Sequence, residues 1–363
     1  MTGKRDAIRG CLLGLAVGDA MGYTIDSRNL AEIRRDYGPN GLLGYDHVNG
    51  YADVTSYTQL AAFSANGLLM GLTRGQMQGK MAPLVRYIAV AIKEWSRSQH
   101  YCPPERNYCW LSGIPELKRR HCMDNRMLDL LAKGNFGTPE DPVSRYNQPG
   151  SLTVVIPIAL MDLSLSPEER NRLGAEAIAL THGDPEAFLC GAVLVHALRE
   201  LLEQPDHDPE ALIQDTRDAI TLQFGREYGQ LSKIWELLQL AVILAHTQTA
   251  SPADAMEQLG CRTCAEVLAG AAYACMTCHG DFDTAMITAV NHSGRSAAVG
   301  AVTGAILGVI MGESALPDFY VESLEPTPYL MELAEDLISG CPMDMGSNLF
   351  DDDWDRKYLH AGQ

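Results

Sequence analysis

The most informative segment of this 363-residue chain reads, from residue 10 to residue 22, Gly10-Cys11-Leu12-Leu13-Gly14-Leu15-Ala16-Val17-Gly18-Asp19-Ala20-Met21-Gly22. Its glycines recur every four residues, so they share one face of a helix and allow a second helix to approach closely. Tight helix packing is enough to explain the glycines. It does not explain Asp19, an acid inside an apolar run, which needs hydrogen-bond partners or a cation.

Helical periodicity dominates the rest of the chain, and alternating, strand-like runs are scarce. The predicted helices span 6–22, 57–72, 83–99, 169–181, 185–203, 209–223, 231–246, 264–277, 281–291 and 297–312. Proline and glycine mark connectors at 37–53, 103–106, 134–151, 204–209 and 313–329. The sequence therefore predicts an all-α fold with one long irregular stretch over 100–150.

No linker is long enough to demand a second domain. We therefore expect a single helical domain over 1–340, followed by a polar, acidic tail over 341–363. The tail carries the cluster Asp351-Asp352-Asp353, and we expect it to dock only loosely on the domain.

The charge balance narrows the class of partner. The formal net charge is −18, which argues against a nucleic-acid-binding protein because such a protein needs a basic face. It permits a basic protein partner, although acidity also serves solubility alone. No apolar run reaches the roughly 18 residues of a membrane span, and no secretory signal is recognisable. The ten cysteines are therefore expected to be reduced, in a cytoplasmic protein.

The 10–22 segment resembles the opening helix of the ADP-ribosylglycohydrolase family, which reads Gly-x-x-x-Gly-x-x-x-Gly-Asp-x-x-Gly. Asp26 falls where the family often carries a glutamate near the substrate ribose. Thr181-His182-Gly183-Asp184-Pro185 resembles a family turn whose histidine lies near the cleft, although a helix corner capped by Asp184 explains it equally. The resemblance runs from about residue 5 to residue 317. It implies a compact, orthogonal helical bundle with a cleft at the helix ends.

The resemblance also implies two magnesium ions, which require carboxylate ligands from two motifs. Where the family reads Ser/Thr-Asp-Asp-Thr, this chain reads Thr55-Ser56-Tyr57-Thr58. Where the family reads Asn-His-Ser-Gly-Asp-Ser-Asp-Ser, this chain reads Asn291-His292-Ser293-Gly294-Arg295-Ser296-Ala297-Ala298. All four carboxylates are replaced, at Ser56, Tyr57, Arg295 and Ala297, so we expect no metal cofactor.

The residues left at these places form the predicted site. The ligand-binding candidates are Thr55, Ser56, Tyr57, Thr58, Asn291, Ser293, Gly294, Arg295 and Ser296, and the catalytic candidates are Asp19, Asp26 and His182. Arg295 is expected either to pair with a leftover acid, Asp19 for example, or to grip a phosphate of ADP-ribose or a carboxylate of a partner. Tyr57 is expected either to plug the vacated cavity or to anchor an interface.

Two Cys-x-x-Cys pairs, Cys261/Cys264 and Cys275/Cys278, superficially suggest a zinc site. The segment between them is strongly helical, and a helix of that length would hold the pairs roughly 16 Å apart. One tetrahedral site cannot span that distance.

Three functions remain open. The first is a catalytically silent family member that binds a protein, such as an immunity protein that occludes an ADP-ribosyltransferase toxin. The second is a module that binds ADP-ribose or a nucleotide through Arg295. The third is a hydrolase with relocated acids, drawn from Asp19, Asp26, Asp53 and Asp281.

Overall fold

The computed structural model describes residues 2–47, 50–99, 107–121, 125–247, 251–278, 280–344, 346 and 349–361. Within these ranges the chain forms seventeen α-helices and four short 3-10 segments, and it contains no β-strand. The all-α prediction is confirmed. The predicted connector at 103–106 lies outside the described residues.

The helices follow one another along the chain, and the longest connections between them join residues 37 and 56, 99 and 125, and 132 and 156. The first eight are α1 Thr2–Tyr23, α2 Leu30–Tyr37, α3 Ser56–Gln78, α4 Leu84–Gln99, α5 Asn125–Ala132, α6 Ile156–Leu160, α7 Pro167–Ala179 and α8 Pro185–Glu203. The others are α9 Pro209–Phe224, α10 Leu231–Thr247, α11 Pro252–Leu259, α12 Cys264–Thr277, α13 Phe282–Val290, α14 Ser296–Met311, α15 Asp318–Glu322, α16 Thr327–Ser339 and α17 Asp352–Tyr358. The 3-10 segments are Trp110–Gly113, Pro115–Lys118, Pro149–Val155 and Glu313–Ala315.

Helices α1 and α14 form an antiparallel pair in the centre of the molecule. Gly14 faces Gly304 and Gly18 faces Gly300, so closely that a Cβ atom on any of these four glycines would overlap the opposite backbone. At one end of the pair Gly22 lies against Ala297. The glycine face of α1 therefore packs closely against a second helix, as the spacing of the glycines predicts. This packing places the end of α1 beside the start of α14.

The C-terminal segment packs more firmly than we expected. Helix α17 buries Trp354 and Tyr358. The Trp354 indole donates a hydrogen bond to Thr73 Oγ1 at 2.9 Å, and the Tyr358 hydroxyl donates one to Asp336 at 2.6 Å. Apolar burial offsets the cost of ordering a short polar segment, so the tail is anchored on α3 and α16.

Several short helices lie where the sequence predicted connectors or irregular chain. Helix α5 interrupts the stretch 100–150, α2 ends where the predicted connector 37–53 begins, and α15 lies inside the predicted connector 313–329. Asn29 and Glu32 form a capping box at the start of α2, which is a recognisable sequence signal. Helices of five to eight residues are too short to show a clear period, so they were missed.

In the described part of the chain, no helix combines the length and the apolar character that crossing a membrane requires.

Candidate functional site

The site lies where the end of α1 meets the start of α14 and the start of α3. The contact between Gly22 and Ala297 joins the two family-like motifs of the N- and C-terminal regions. The third motif joins them because Asp19, near the end of α1, bonds to the first turn of α3. The Gly-Asp motif of α1 and the two motifs that stand in place of the family's metal ligands therefore meet at one place.

Asp19 is fully buried and accepts four hydrogen bonds. Thr55 donates its backbone N–H at 2.8 Å and its hydroxyl at 2.6 Å, and Thr58 donates the same two groups at 3.0 Å and 2.6 Å. Burial raises the pKa of the Asp19 carboxyl to about 6, against the lowering effect of these four bonds. Asp19 therefore caps the N-terminus of α3, a position that favours a negative charge.

Arg295 pairs with Asp26, one of the leftover acids that the sequence offered as partners, while Asp19 is bonded to Thr55 and Thr58. Its Nε donates to Asp26 Oδ2 at 3.0 Å, and the backbone N–H of Ala297 donates to Asp26 Oδ1 at 3.1 Å. Burial raises the pKa of Asp26, while Arg295 acts in the opposite direction. The choice between the two acids is geometric, because Asp19 points into the first turn of α3, whereas Asp26 lies beyond the end of α1 and beside α14.

Tyr57 and Ser56 both lie inside the protein. Tyr57 is only 2% exposed, and burial raises its pKa. Its carbonyl accepts a 2.7 Å hydrogen bond from Thr153, in the 3-10 segment Pro149–Val155, while its hydroxyl finds no partner among the described residues. The Tyr57 ring occupies interior space and is not presented to solvent.

The residues before α14 mainly hold neighbouring backbone in place. The Asn291 side chain accepts from Leu42 N–H and donates to Leu42 C=O, both at 2.8 Å. Ser293 Oγ accepts a hydrogen bond from Leu30 at 2.9 Å, and the Gly294 carbonyl accepts one from Ser27. Ser296 is buried, and its hydroxyl has no partner among the described residues.

Two histidines of these motifs are buried in their neutral form. His182 lies within 2.7 Å of the Thr181 hydroxyl, and His292 Nδ1 accepts the Gly294 N–H at 2.9 Å. His292 Nε2 lies 2.9 Å from the Ala289 carbonyl, so this nitrogen carries the proton. Burial lowers the pKa of both histidines to about 4.

The Asp184 cap and Pro185 at the start of α8 are observed as expected.

The lowered pKa values of His182 and His292 predict that these two residues reduce the free energy of unfolding in mild acid, whereas Asp19, whose pKa is raised, acts in the opposite direction. The unfolded state takes up protons near the ordinary histidine pKa, while the folded state resists until pH falls to about 4. The stabilisation is therefore present above the unfolded pKa and is lost as pH falls through this window. We expect each buried histidine to cost about 2 kcal/mol of unfolding free energy between about pH 7 and pH 5.

Urea unfolding at the two pH values measures this loss. Asparagine at position 292 keeps an acceptor for Gly294 but does not titrate, so His292→Asn should remove about 2 kcal/mol of the pH dependence. Leu222→Ala, at an exposed side chain that carries no titratable group, is the control and should leave the pH dependence unchanged. An identical pH dependence in all three proteins would refute the assignment.

A polar network beside the site was not foreseen. His121 Nδ1 lies 2.9 Å from the Tyr23 hydroxyl, and its Nε2 lies 3.1 Å from Asp53. Arg119 contacts both Asp53, at 3.2 Å, and Glu325. Burial raises the pKa of Asp53, but His121 and Arg119 outweigh it and hold the pKa below its ordinary value. The partners are up to about two hundred residues apart in sequence, and no motif links them.

The four acids considered for relocated catalysis are all engaged. Asp19 and Asp26 make the bonds described above, and Asp53 belongs to the polar network. Asp281 caps α13, accepting from Asp283 N–H and from the Thr284 hydroxyl. The structure does not bring these four carboxylates to one free cluster.

The oxygen atoms available at the site do not suit the binding of a pair of magnesium ions. Both oxygens of Asp19 and both oxygens of Asp26 already accept hydrogen bonds, and the Arg295 guanidinium adds a fixed positive charge. Among the described residues, no group of three or more histidine, cysteine, aspartate or glutamate side chains is arranged to hold a metal ion. Helix α12 separates the two cysteine pairs, as its sequence predicted.

Comparison with known proteins agrees with this architecture. The family model described as ADP-ribosylglycohydrolase matches residues 1–345, so the chain belongs to the ADP-ribosylglycohydrolase family. The chain is similar to a solved structure described as "ADP-ribosylglycohydrolase-related protein complex", with 23% identity and a TM-score of 0.59. The match covers 93% of this chain and 99% of that chain, and at this identity it shows the fold alone. A search of curated proteins gives no match.

Proposed function

We propose that this chain has lost the metal-dependent hydrolysis of its family and acts by binding a protein partner. An immunity protein that occludes an ADP-ribosyltransferase toxin is the concrete form of this proposal. The observation that carries it is the bond between Arg295 and Asp26. A guanidinium there stands at a motif position where the family supplies a carboxylate, and it repels the divalent ions that the hydrolysis requires.

The surface beside the site supports a protein partner with a basic face. The exposed side chains of Tyr51 and Phe319 lie on neighbouring segments, because Ala52 N–H bonds to the Ser323 carbonyl one turn beyond Phe319. Exposed acids accompany them at Asp46, Asp318 and Glu322. Exposed aromatic side chains among acidic ones suit a basic protein surface that carries an apolar anchor.

We also propose a cytoplasmic location, which the free thiols support.

Restoring the four carboxylates should restore a magnesium site. In Ser56→Asp/Tyr57→Asp/Arg295→Asp/Ala297→Asp the cationic side chain is gone, and carboxylates stand at the four motif positions where the family supplies them. We expect about 10 mM magnesium to raise the melting temperature of this variant and to leave that of the natural chain unchanged. Thermal unfolding and calorimetric titration measure both proteins.

The matched control carries asparagine at the same four positions. It has similar bulk and no added charge, so it should respond to magnesium no more than the natural chain does. Titration of the natural chain with magnesium, together with an arginine-ADP-ribosylated protein as a hydrolysis substrate, tests the proposal directly. Magnesium-dependent turnover by the natural chain would overturn it.

A second candidate function is binding of ADP-ribose without metal. The specific observation in its favour is that the Arg295 side chain remains 26% exposed, so solvent reaches part of it. A guanidinium binds phosphate oxygens well in a bidentate geometry. If ADP-ribose binds without magnesium and Arg295→Met abolishes the binding, this function replaces partner binding. If ADP-ribose does not bind and an ADP-ribosyltransferase domain forms a stable complex, partner binding is supported.

A further inference from the structure

A cavity lies away from the candidate site. It has a volume of about 130 Å³ and lies among α8, α9, α10, α12 and α14. Its wall is mainly aliphatic and includes Val193, Leu212, Leu238, Leu268 and Ile306. On α14, Ile306 follows Ser296 by ten residues, which corresponds to about 15 Å along the helix. The cavity and the candidate site therefore occupy different ends of the same helix.

Two polar atoms in the cavity wall have no hydrogen-bond partner among the described residues. The Thr216 hydroxyl, on a residue only 2% exposed, has no hydrogen-bond partner among the described residues, and neither has His207 Nδ1. The other ring nitrogen of His207, Nε2, lies 3.4 Å from Asp215 and so orients the ring. Buried polar groups without partners are costly, and such exceptions in native proteins need a reason.

We propose that this cavity binds a small apolar molecule that carries one hydroxyl group, such as a monocyclic phenol. A cavity of about 150 Å³ with a similar aliphatic lining binds benzene, so the volume suits a single ring. A ligand hydroxyl would then bond to Thr216 or to His207, after a small rotation of either side chain. A mainly apolar wall with one or two polar groups is the usual composition of a small-molecule site.

Calorimetric titration with phenol and with toluene tests the proposal, because toluene carries a methyl group where phenol carries its hydroxyl. Phenol should bind more tightly than toluene to the natural chain. Thr216→Val exchanges the hydroxyl for a methyl group of the same size, so we expect about fivefold weaker phenol binding and unchanged toluene binding. The variant should fold, since it removes an unpaired buried hydroxyl.

Ala272→Phe places a ring in the cavity and should abolish binding of both probes. Ala272 is partly exposed, so the new ring has room at the cavity mouth, and Ala197→Phe replaces this variant if circular dichroism shows that it is unfolded. Absence of phenol binding, or phenol binding that survives both the Thr216 and the cavity-filling variants, would overturn the proposal. Neither magnesium nor ADP-ribose enters this experiment, so its outcome is independent of the proposed function.

Discussion

Gly18→Ala should destabilise the protein by more than about 4 kcal/mol, a loss that few single substitutions reach. The added methyl group would overlap the carbonyl oxygen of Gly300 on α14. Both atoms belong to helix backbones, so no side chain can rotate away, and the two helices must separate along their shared face. Separation opens voids beside Gly14 and Gly22 as well, which adds the cost of lost packing.

Urea unfolding followed by circular dichroism measures this effect, and the same helix provides the control. Gly3 also lies in α1, but a methyl group there meets no atom within 4 Å. Gly3→Ala should therefore raise the stability by less than about 1 kcal/mol, because alanine favours the helix more than glycine does but Gly3 lies in the first turn. Equal stability of the two variants would show that α1 and α14 do not approach as closely as the structure indicates.

The sequence predicted the close approach of α1 and α14 because the spacing of the glycines within one helix is enough to indicate it. Glycines four residues apart share a helix face whatever the rest of the chain does. The long helices were also predicted from local sequence, because their apolar residues recur at helical spacing over several turns. Helix α8, at 185–203, and helix α12, at 264–277, have the bounds predicted from the sequence. The motif residues at 55–58 and 291–297 also lie together as the resemblance implies.

The sequence did not predict which acid each motif residue would bond to. Asp19 and Asp26 are seven residues apart, and both were plausible partners for Arg295. The choice depends on where α1 ends and on how α3 packs beside it, and these are tertiary facts. The network of Tyr23, His121 and Asp53 was missed for the same reason, since three distant segments contribute one side chain each.

Asp19→Ala should be nearly as damaging as the glycine substitution, with an expected loss of about 3 to 5 kcal/mol. Removing the carboxylate leaves two N–H groups and two hydroxyls, from Thr55 and Thr58, without their acceptor in an interior that water does not reach. Each unsatisfied buried donor costs free energy that solvent would otherwise offset. The first turn of α3 also loses a negative charge that its helix dipole favours.

Asp19→Asn separates the loss of charge from the loss of shape. The asparagine keeps one acceptor oxygen, but its NH2 group faces hydrogen-bond donors at the place where the second carboxylate oxygen accepted. The free energy of unfolding should therefore fall by less than it does in Asp19→Ala. Asp208→Ala is the matched control, because Asp208 is exposed and caps α9 through one bond to Ala211 N–H. Loss of an exposed cap costs about 1 kcal/mol.

The comparison decides what holds the first turn of α3, where Ser56 and Tyr57 stand in place of the family's carboxylates. If Asp19→Ala costs several times as much as Asp208→Ala, the buried carboxylate holds this turn by itself, without a cation. If the two losses are equal, Asp19 does not hold α3, and another interaction must fix the turn. In the first case Asp19 and Arg295 have separate structural roles at the site. Asp19 orders α3, while Arg295 neutralises Asp26, and neither carboxylate is left to bind a metal ion.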